Sequence, residues 1–380
     1  MMKIQWISLL IACFCLMGPA HVNGEAASRD ASIVEDYEDD LKELESELLL
    51  NEEETKWLED LENKEKRSLM TLIEPVVSYF FSEVKSNIHL LLLIVLMIIF
   101  RSIFQYMTHN DERYRVHQVV HFVTYLLIYS VCIHSMVEIF TYSKHVLLRM
   151  NDFMFGLIPL LISITALGGQ FFSVAFFEPF IIFLLYSGSL LITHFIYPLF
   201  ILSAVIYFVS QLNDAIQITH LANLLISIVK YSLIIFVTVF LTIMSVQSTI
   251  TVVQDSIALK TTQFVTNNFI PIVGRTLTEG AETIVATTLL AKNSIGLTAL
   301  IMITTIILFP IIKIAVIALL FRLTAALVQP LTANEQMVHI VDDIGQYIFY
   351  LLAILMTMAA LYFIVILIFI LSTSLPILFK

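Results

Sequence analysis

One lysine stands inside a run of residues apolar enough to cross a membrane. Lys313 lies three residues after Pro310 in the segment FPIIKIAVIALL. A lysine at mid-membrane costs about 2.5–3.5 kcal/mol on insertion scales, so its ammonium should face protein or water. Pro310 deprives a carbonyl in the preceding turn of its helical donor, which also favours polar surroundings. Two interpretations stay open. Lys313 belongs to a hydrophilic path or to a salt bridge with an acid such as Glu138 or Glu178, or its stem carries the charge to an interface.

Two pairs of polar residues lie four apart on or near the second apolar segment, namely His117 with His121 and His134 with Glu138. A spacing of four places both members on one helix face, where they could bind a metal or relay protons. Zinc, however, normally takes three or four ligands. The pairs therefore favour interfacial histidines and a buried polar contact to a neighbouring helix.

The sequence offers little for catalysis. Ser187 and His194 are about 10 Å apart along a helix, which is too far for the hydrogen bond between a nucleophile and its base. The chain contains no HExxH motif, Walker loop, glycine-rich nucleotide fingerprint or pair of spanning aspartates. We therefore predict no enzyme activity, no resident metal and no cofactor. An associated ATPase would be a separate subunit.

Residues 251–294 are too polar to cross a membrane simply and too apolar for an ordinary loop. TVVQDSIALKTTQFVTNNF predicts an amphipathic helix with Asp255 and Lys260 away from its apolar face. Pro271 and Gly274 favour a sharp turn, and TLTEGAETIVATTLLA predicts a second amphipathic helix. The segment is thus a helical hairpin with an elbow at its centre.

A break is predicted after this hairpin, at Lys292, Asn293 and Gly296. In hydrocarbon, irregular backbone survives only where protein or water satisfies its polar groups. The hairpin therefore either lies at the cytosolic interface or re-enters the membrane and lines a water-filled cavity. Its polar and turn-forming residues, together with Lys313, are candidates for a gate, a pore lining or a docking surface: Asp255, Lys260, Pro271, Gly274, Arg275, Lys292 and Asn293.

The composition indicates an all-α polytopic membrane protein. Of 380 residues, 59% are hydrophobic and 13% charged, against roughly 45–50% and about 25% in soluble domains. Spans need about 20 apolar residues. Pro198 leaves open whether the fourth segment is one span or two. The seven predicted spans lie near 86–106, 118–141, 153–172, 179–209, 226–250, 295–320 and 347–373.

The N-terminal region differs in charge from the rest. Residues 1–24 have the charged start, short apolar core and small residues of a signal peptide, although a lipoprotein signal at Cys13 or a retained anchor is also compatible. Residues 25–85 carry 19 Asp and Glu against 7 Lys and Arg. They form either a docking helix or a solvated acidic tail, followed by an interfacial helix at 68–84. No basic patch indicates nucleic-acid binding.

The predicted organisation is therefore a signal peptide, an acidic extracytoplasmic leader, five membrane helices at 86–250, the hairpin at 251–294 and two further helices at 295–380. With seven spans and the mature N-terminus outside, the hairpin falls in the cytosol. The positive charges of the loops support this orientation only modestly.

Several stretches in order resemble the stage III sporulation protein AE family of endospore-forming bacteria. They cover roughly residues 150–375, and the leader agrees with that family only in outline. The matching pieces are LIPLLISITALGG, Asp255, ALKTTQF, IPIVG, the Lys292–Asn293 pair before IGLTAL, Pro310 with Lys313, and QPL at Gln329 to Leu331.

The resemblance implies a non-enzymatic subunit of a secretion-like channel in the mother-cell membrane around the forespore. Implied partners are the other membrane and ring subunits of the same operon and a forespore protein. The hairpin would gate the channel, dock a partner or meet a cytosolic ATPase subunit. Further copies of the chain and membrane lipid would also contact it. The alternative is a stand-alone secondary transporter in which broken helices and Lys313 bind a small solute.

Overall fold

The computed structural model describes residues 69–108, 114–167, 178–212, 218–269, 273–331 and 335–378. These parts are helical almost throughout, so the predicted all-α fold is confirmed. The predicted signal peptide and most of the acidic leader, up to residue 68, lie outside the described residues.

The described residues form seven α-helices. They are α1 (Leu69–Thr108), α2 (Tyr114–Leu167), α3 (Glu178–Leu190), α4 (Tyr197–Gln211), α5 (Thr219–Phe269), α6 (Val273–Val328) and α7 (Glu335–Leu378). A π-helix (Leu191–Ile196) joins α3 to α4, and a 3-10 turn (Gln329–Leu331) follows α6.

Within the part of the chain that the structure describes, six helical segments are long and apolar enough to cross a membrane. They are Glu74–Ile103, Phe122–Ser163, Pro179–Gln211, Thr219–Val246, Ser294–Leu331 and Gln336–Ile370. The predicted second span and the described part of the third lie within one helix, α2, which has 54 residues. The intervening YSKHVLLRMND is polar but contains no proline or glycine. Polarity alone does not end a helix, because its hydrogen bonds are made within the backbone.

Pro198 does not divide the fourth predicted span, since helix continues through α3, the π-helix and α4. The π-helix ends at Ile196, two residues before the proline. A proline ring clashes with the carbonyl of the fourth residue before it, here His194, and a wider π turn relieves that clash.

Helices α6 and α7 form the centre of the bundle. About half of the most apolar part of each is buried, 56% in α6 and 50% in α7, against 22% in α1 and in α5. Gly296 allows the two central helices to approach closely. A Cβ placed on it would lie 2.5 Å from Cγ1 of Ile370. The predicted break at 292–296 is therefore wrong, because this glycine serves packing inside a continuous helix.

The elbow connects two long helices. Helix α5 continues from its apolar part, which ends at Val246, to Phe269, and α6 begins at Val273. Along the axis, each arm reaches about 30–35 Å past the apolar segment. Residues 270–272 lie outside the described residues.

The described residues contain four candidate spans before the elbow instead of the predicted five, and this changes the side of the membrane on which the elbow lies. Ser102 at the end of α1 donates to the carbonyl of Leu331 after α6, and Tyr125 in the first part of α2 donates to that of Gln211 at the end of α4. These helix ends thus meet at one end of the bundle. The elbow falls at the other end, with the start of α1. The predicted cytosolic position of the hairpin rested on seven spans. With six, the end of α5 and the start of α6 lie on the same side of the membrane as the start of α1.

Candidate functional site

The polar residues of α1 are spaced to form one line inside an apolar helix. Tyr79, Glu83 and Asn87 recur every four residues, so they share one helix face. The Tyr79 hydroxyl donates to Oε1 of Glu83 at 3.1 Å, and Nδ2 of Asn87 donates to Oε2 at 3.0 Å. Both carboxylate oxygens of Glu83 therefore accept hydrogen bonds from side chains of α1 itself.

Lys313 of α6 completes this cluster. Its Nζ lies 3.7 Å from Oε1 of Glu83 and 5.0 Å from the ring centre of Tyr142 on α2. The Glu83 side chain is 12% exposed and that of Lys313 is 37% exposed. A carboxylate, an ammonium and an aromatic face thus meet where three membrane helices come together.

Apolar contacts fix the two helices on either side of the pair. The Tyr79 ring packs edge-on against Phe309 with 4.9 Å between ring centres. Further along, Leu91 of α1 packs with Val316 and Leu320 of α6. The pair is therefore held in position by packing, as an ion pair in a membrane requires.

The structure agrees with the salt-bridge interpretation of Lys313, but the acid is Glu83 and not the suggested Glu138. The side chain of Glu178 lies outside the described residues. Glu83 was missed because its segment was taken for an interfacial helix at the membrane edge. In the structure α1 is continuous from Leu69 to Thr108, and Glu83 lies inside a candidate span. The four-residue recurrence of polar side chains was the signal that could have found it.

A second polar cluster links α7, α2 and the π-helix. Tyr362 of α7 donates to Oδ1 of Asn151 on α2, whose Nδ2 lies 3.3 Å from the hydroxyl of Thr193. Thr193 belongs to the π-helix, and such irregular turns are frequent at functional sites. A third cluster lies at the end of the bundle where α7 begins, where Tyr207 donates to Asp343 at 2.6 Å.

The candidate residues of the hairpin are separate from the Glu83–Lys313 cluster. Asp255 is in α5, and Gly274, Arg275, Lys292 and Asn293 are in α6, but their side chains lie outside the described residues. Pro271 lies in the interval that the structure does not describe. Lys292 is about 32 Å from Lys313 along α6, so the two groups form separate regions.

Lys260 is the one hairpin candidate whose side chain is described, and it is exposed. It stands three residues after Ile257 and four before Phe264, which are also exposed. At helical spacing these three share one side of α5, so Lys260 borders the apolar face instead of opposing it.

The comparisons with known proteins identify the family. The family model of stage III sporulation protein AE matches residues 53–373. This chain belongs to the stage III sporulation protein AE family. Stage III sporulation protein AE of Bacillus subtilis (strain 168) is 30% identical over 401 residues, covering all of both chains. No solved structure matches the chain.

Family membership places the Glu83–Lys313 pair in a sporulation protein with several membrane helices. Within the described residues, no three His, Cys, Asp or Glu side chains are grouped to hold a metal ion. The cluster offers a buried charge, hydroxyl and amide groups and an aromatic face. These groups can bind water or an ion, or lock two helices together.

Proposed function

We propose that this protein is a non-enzymatic membrane subunit of the channel that links mother cell and forespore during sporulation. In this proposal it resides in the mother-cell membrane, scaffolds the ring-forming partners and contributes to a transmembrane passage. The observation that carries the proposal is the Glu83–Lys313 pair inside two membrane helices. Charges at membrane depth are costly and mark paths or working contacts.

The long hairpin supports the scaffolding part. Helices of 51 and 56 residues are far longer than the roughly 20 residues that cross a bilayer. Their outer arms therefore offer a surface beyond the lipid. The end of α5 and the start of α6 lie at the end of the bundle where α1 starts, and in this proposal they dock extracytoplasmic ring subunits. A cytosolic ATPase would then meet the opposite end, near the starts of α5 and α7.

A secondary transporter is the second candidate, because a π-helix beside a buried polar cluster also suits solute binding. The two functions predict different behaviour of the isolated protein. A channel subunit should isolate with its operon partners from sporulating cells and should be inert alone in proteoliposomes. A transporter should move a solute when reconstituted alone.

The test uses the full chain with an affinity tag in sporulating cells. Partners are identified after mild detergent extraction, and uptake of ions, amino acids and nucleotides is measured in proteoliposomes of the purified protein. We expect co-isolated membrane and ring subunits and no uptake. Saturable uptake of one solute class by the protein alone, lost in Lys313→Met but retained in the control Glu74→Gln, would replace the channel with the transporter.

A further inference from the structure

Helix α2 presents a polar stripe to the outside of the bundle. Glu138, Thr141 and His145 follow one another at spacings of three and four residues, and all are exposed. On an ideal helix, the members of the full stripe fall within about 40° of a single line along the surface. That line comprises Ser130, His134, Glu138, Thr141, His145, Leu148 and Asp152.

The stripe is long enough to cross a membrane. From Ser130 to Asp152 it covers about 33 Å of helix, close to the hydrocarbon thickness of about 30 Å. All of it lies within the candidate span Phe122–Ser163. The sequence-based expectation that His134 and Glu138 make a buried contact to a neighbouring helix is thus wrong, because both face outward.

Three of its titratable groups lack hydrogen-bond and ion-pair partners among the residues that the structure describes. There, neither Glu138 nor His134 or His145 forms a hydrogen bond or an ion pair. A carboxylate facing lipid at the helix centre costs about 2.5–3.5 kcal/mol on insertion scales. Lipid is therefore an unfavourable neighbour for this face.

Helix α5 provides an internal contrast. Its exposed Thr238 and Thr242 and its partly exposed Ser227 each donate to the carbonyl four residues earlier, at 2.7 to 2.8 Å. Hydroxyls satisfied in this way tolerate lipid. Glu138 has no such option, because an ionised carboxylate only accepts hydrogen bonds.

Two neighbouring features are polar or open as well. Beside the first part of the stripe, Ser130 and His134 line an open groove of about 500 Å³. At its middle, Thr141 directly precedes Tyr142, whose ring lies under the ammonium of Lys313. The stripe thus extends from an open groove past the buried ion pair.

We propose that this outer face of α2 is one wall of a water-filled passage through the membrane, open to hydrated ions and small polar solutes. The inference rests on the proposed channel function and assigns the passage to particular residues. Water would satisfy Glu138 and both imidazoles across the whole thickness of the bilayer. The exposed part of Lys313 would contact the same water.

The experiment maps water access along the stripe in membranes of sporulating cells. Cys13, Cys15 and Cys132 are replaced by alanine, and single cysteines are introduced in the full chain as Ser130→Cys, Glu138→Cys, Thr141→Cys, His145→Cys and Asp152→Cys. Ile235→Cys is the lipid-facing control, since Ile235 is 61% exposed on α5. A charged, membrane-impermeant methanethiosulfonate reagent is applied from both sides.

We expect all five stripe cysteines to react at least about tenfold faster than the control, because the reactive thiolate forms only in water. The proposal would be overturned if only Ser130→Cys and Asp152→Cys reacted, or only His145→Cys and Asp152→Cys. In both cases the middle of the stripe, at Glu138 and Thr141, would be out of contact with water. Absence of reaction, with oxidative cross-linking of the stripe to another chain, would also overturn it. If the passage proposal fails but the variants still sporulate and still isolate with partner subunits, the proposed channel function stands. Failure of the passage proposal can therefore be distinguished from failure of the channel function.

Discussion

The Glu83–Lys313 pair makes a quantitative prediction. Two unit charges 3.7 Å apart attract by about 4 kcal/mol at an effective dielectric constant of about 20 and by about 1 kcal/mol in water. Because the Lys313 side chain is 37% exposed and Glu83 only 12%, the pair lies between these limits. We expect a coupling free energy of about 2 kcal/mol.

The perturbation is a double-mutant cycle of Glu83→Gln and Lys313→Met. Each single variant leaves one charge uncompensated inside the membrane and should lower the free energy of unfolding by about 2–3 kcal/mol. The double variant removes both charges, so its loss should be about 3 kcal/mol instead of the additive value of about 5 kcal/mol.

The assay is reversible denaturation of the full chain in mixed micelles. Glu74→Gln serves as the matched control, because Glu74 is an exposed acid on the same helix, and it should change stability by less than about 0.5 kcal/mol. The reasoning would be refuted if the stability loss of the double variant equalled the sum of the two single-variant losses to within about 0.5 kcal/mol. The contact would then be too loose or too hydrated to couple α1 to α6.

Two further predictions concern packing and the second polar cluster. Gly296→Ala should destabilise the protein by about 1–3 kcal/mol, because the new methyl group would lie 2.5 Å from Cγ1 of Ile370, and Ile370→Ala should restore part of the loss in the same denaturation assay. Asn151→Leu should cost about 1–3 kcal/mol by removing the hydrogen bonds that the Asn151 amide makes with the hydroxyl groups of Tyr362 and Thr193. Tyr362→Phe should cost less, and equal stability of Asn151→Leu and the wild type would contradict a buried hydrogen-bond cluster.

Sequence patterns predicted the class of the fold because hydropathy dominates it. In a chain that is 59% hydrophobic, continuous apolar runs of about 20 residues cross a membrane as helices, because a helix satisfies its backbone polar groups within one segment. Residue-level reasoning also correctly required a polar neighbour for Lys313. The identity of that neighbour depends on which helices pack together, and Glu83 precedes Lys313 by 230 positions.

Helix continuity was the harder property. The run from Tyr142 to Asp152 is polar enough to resemble a loop, yet each residue in it is compatible with a helix. Gly296 posed the reverse difficulty, since a glycine can end a helix or allow a close contact. Only the position of Ile370 across the interface distinguishes the two uses.

The continuity of α6 has a mechanical consequence. This helix carries one arm of the outer hairpin and also Lys313, with about 60 Å of unbroken backbone between Val273 and the lysine. Helix α1, which follows the acidic leader, is among the least buried of the candidate spans and meets α6 at the ion pair and at the small apolar cluster of Leu91, Val316 and Leu320. The hairpin arm and the lysine that pairs with Glu83 therefore belong to one helix. The ion pair is thus a direct contact between the helix that carries this arm and the helix that follows the leader.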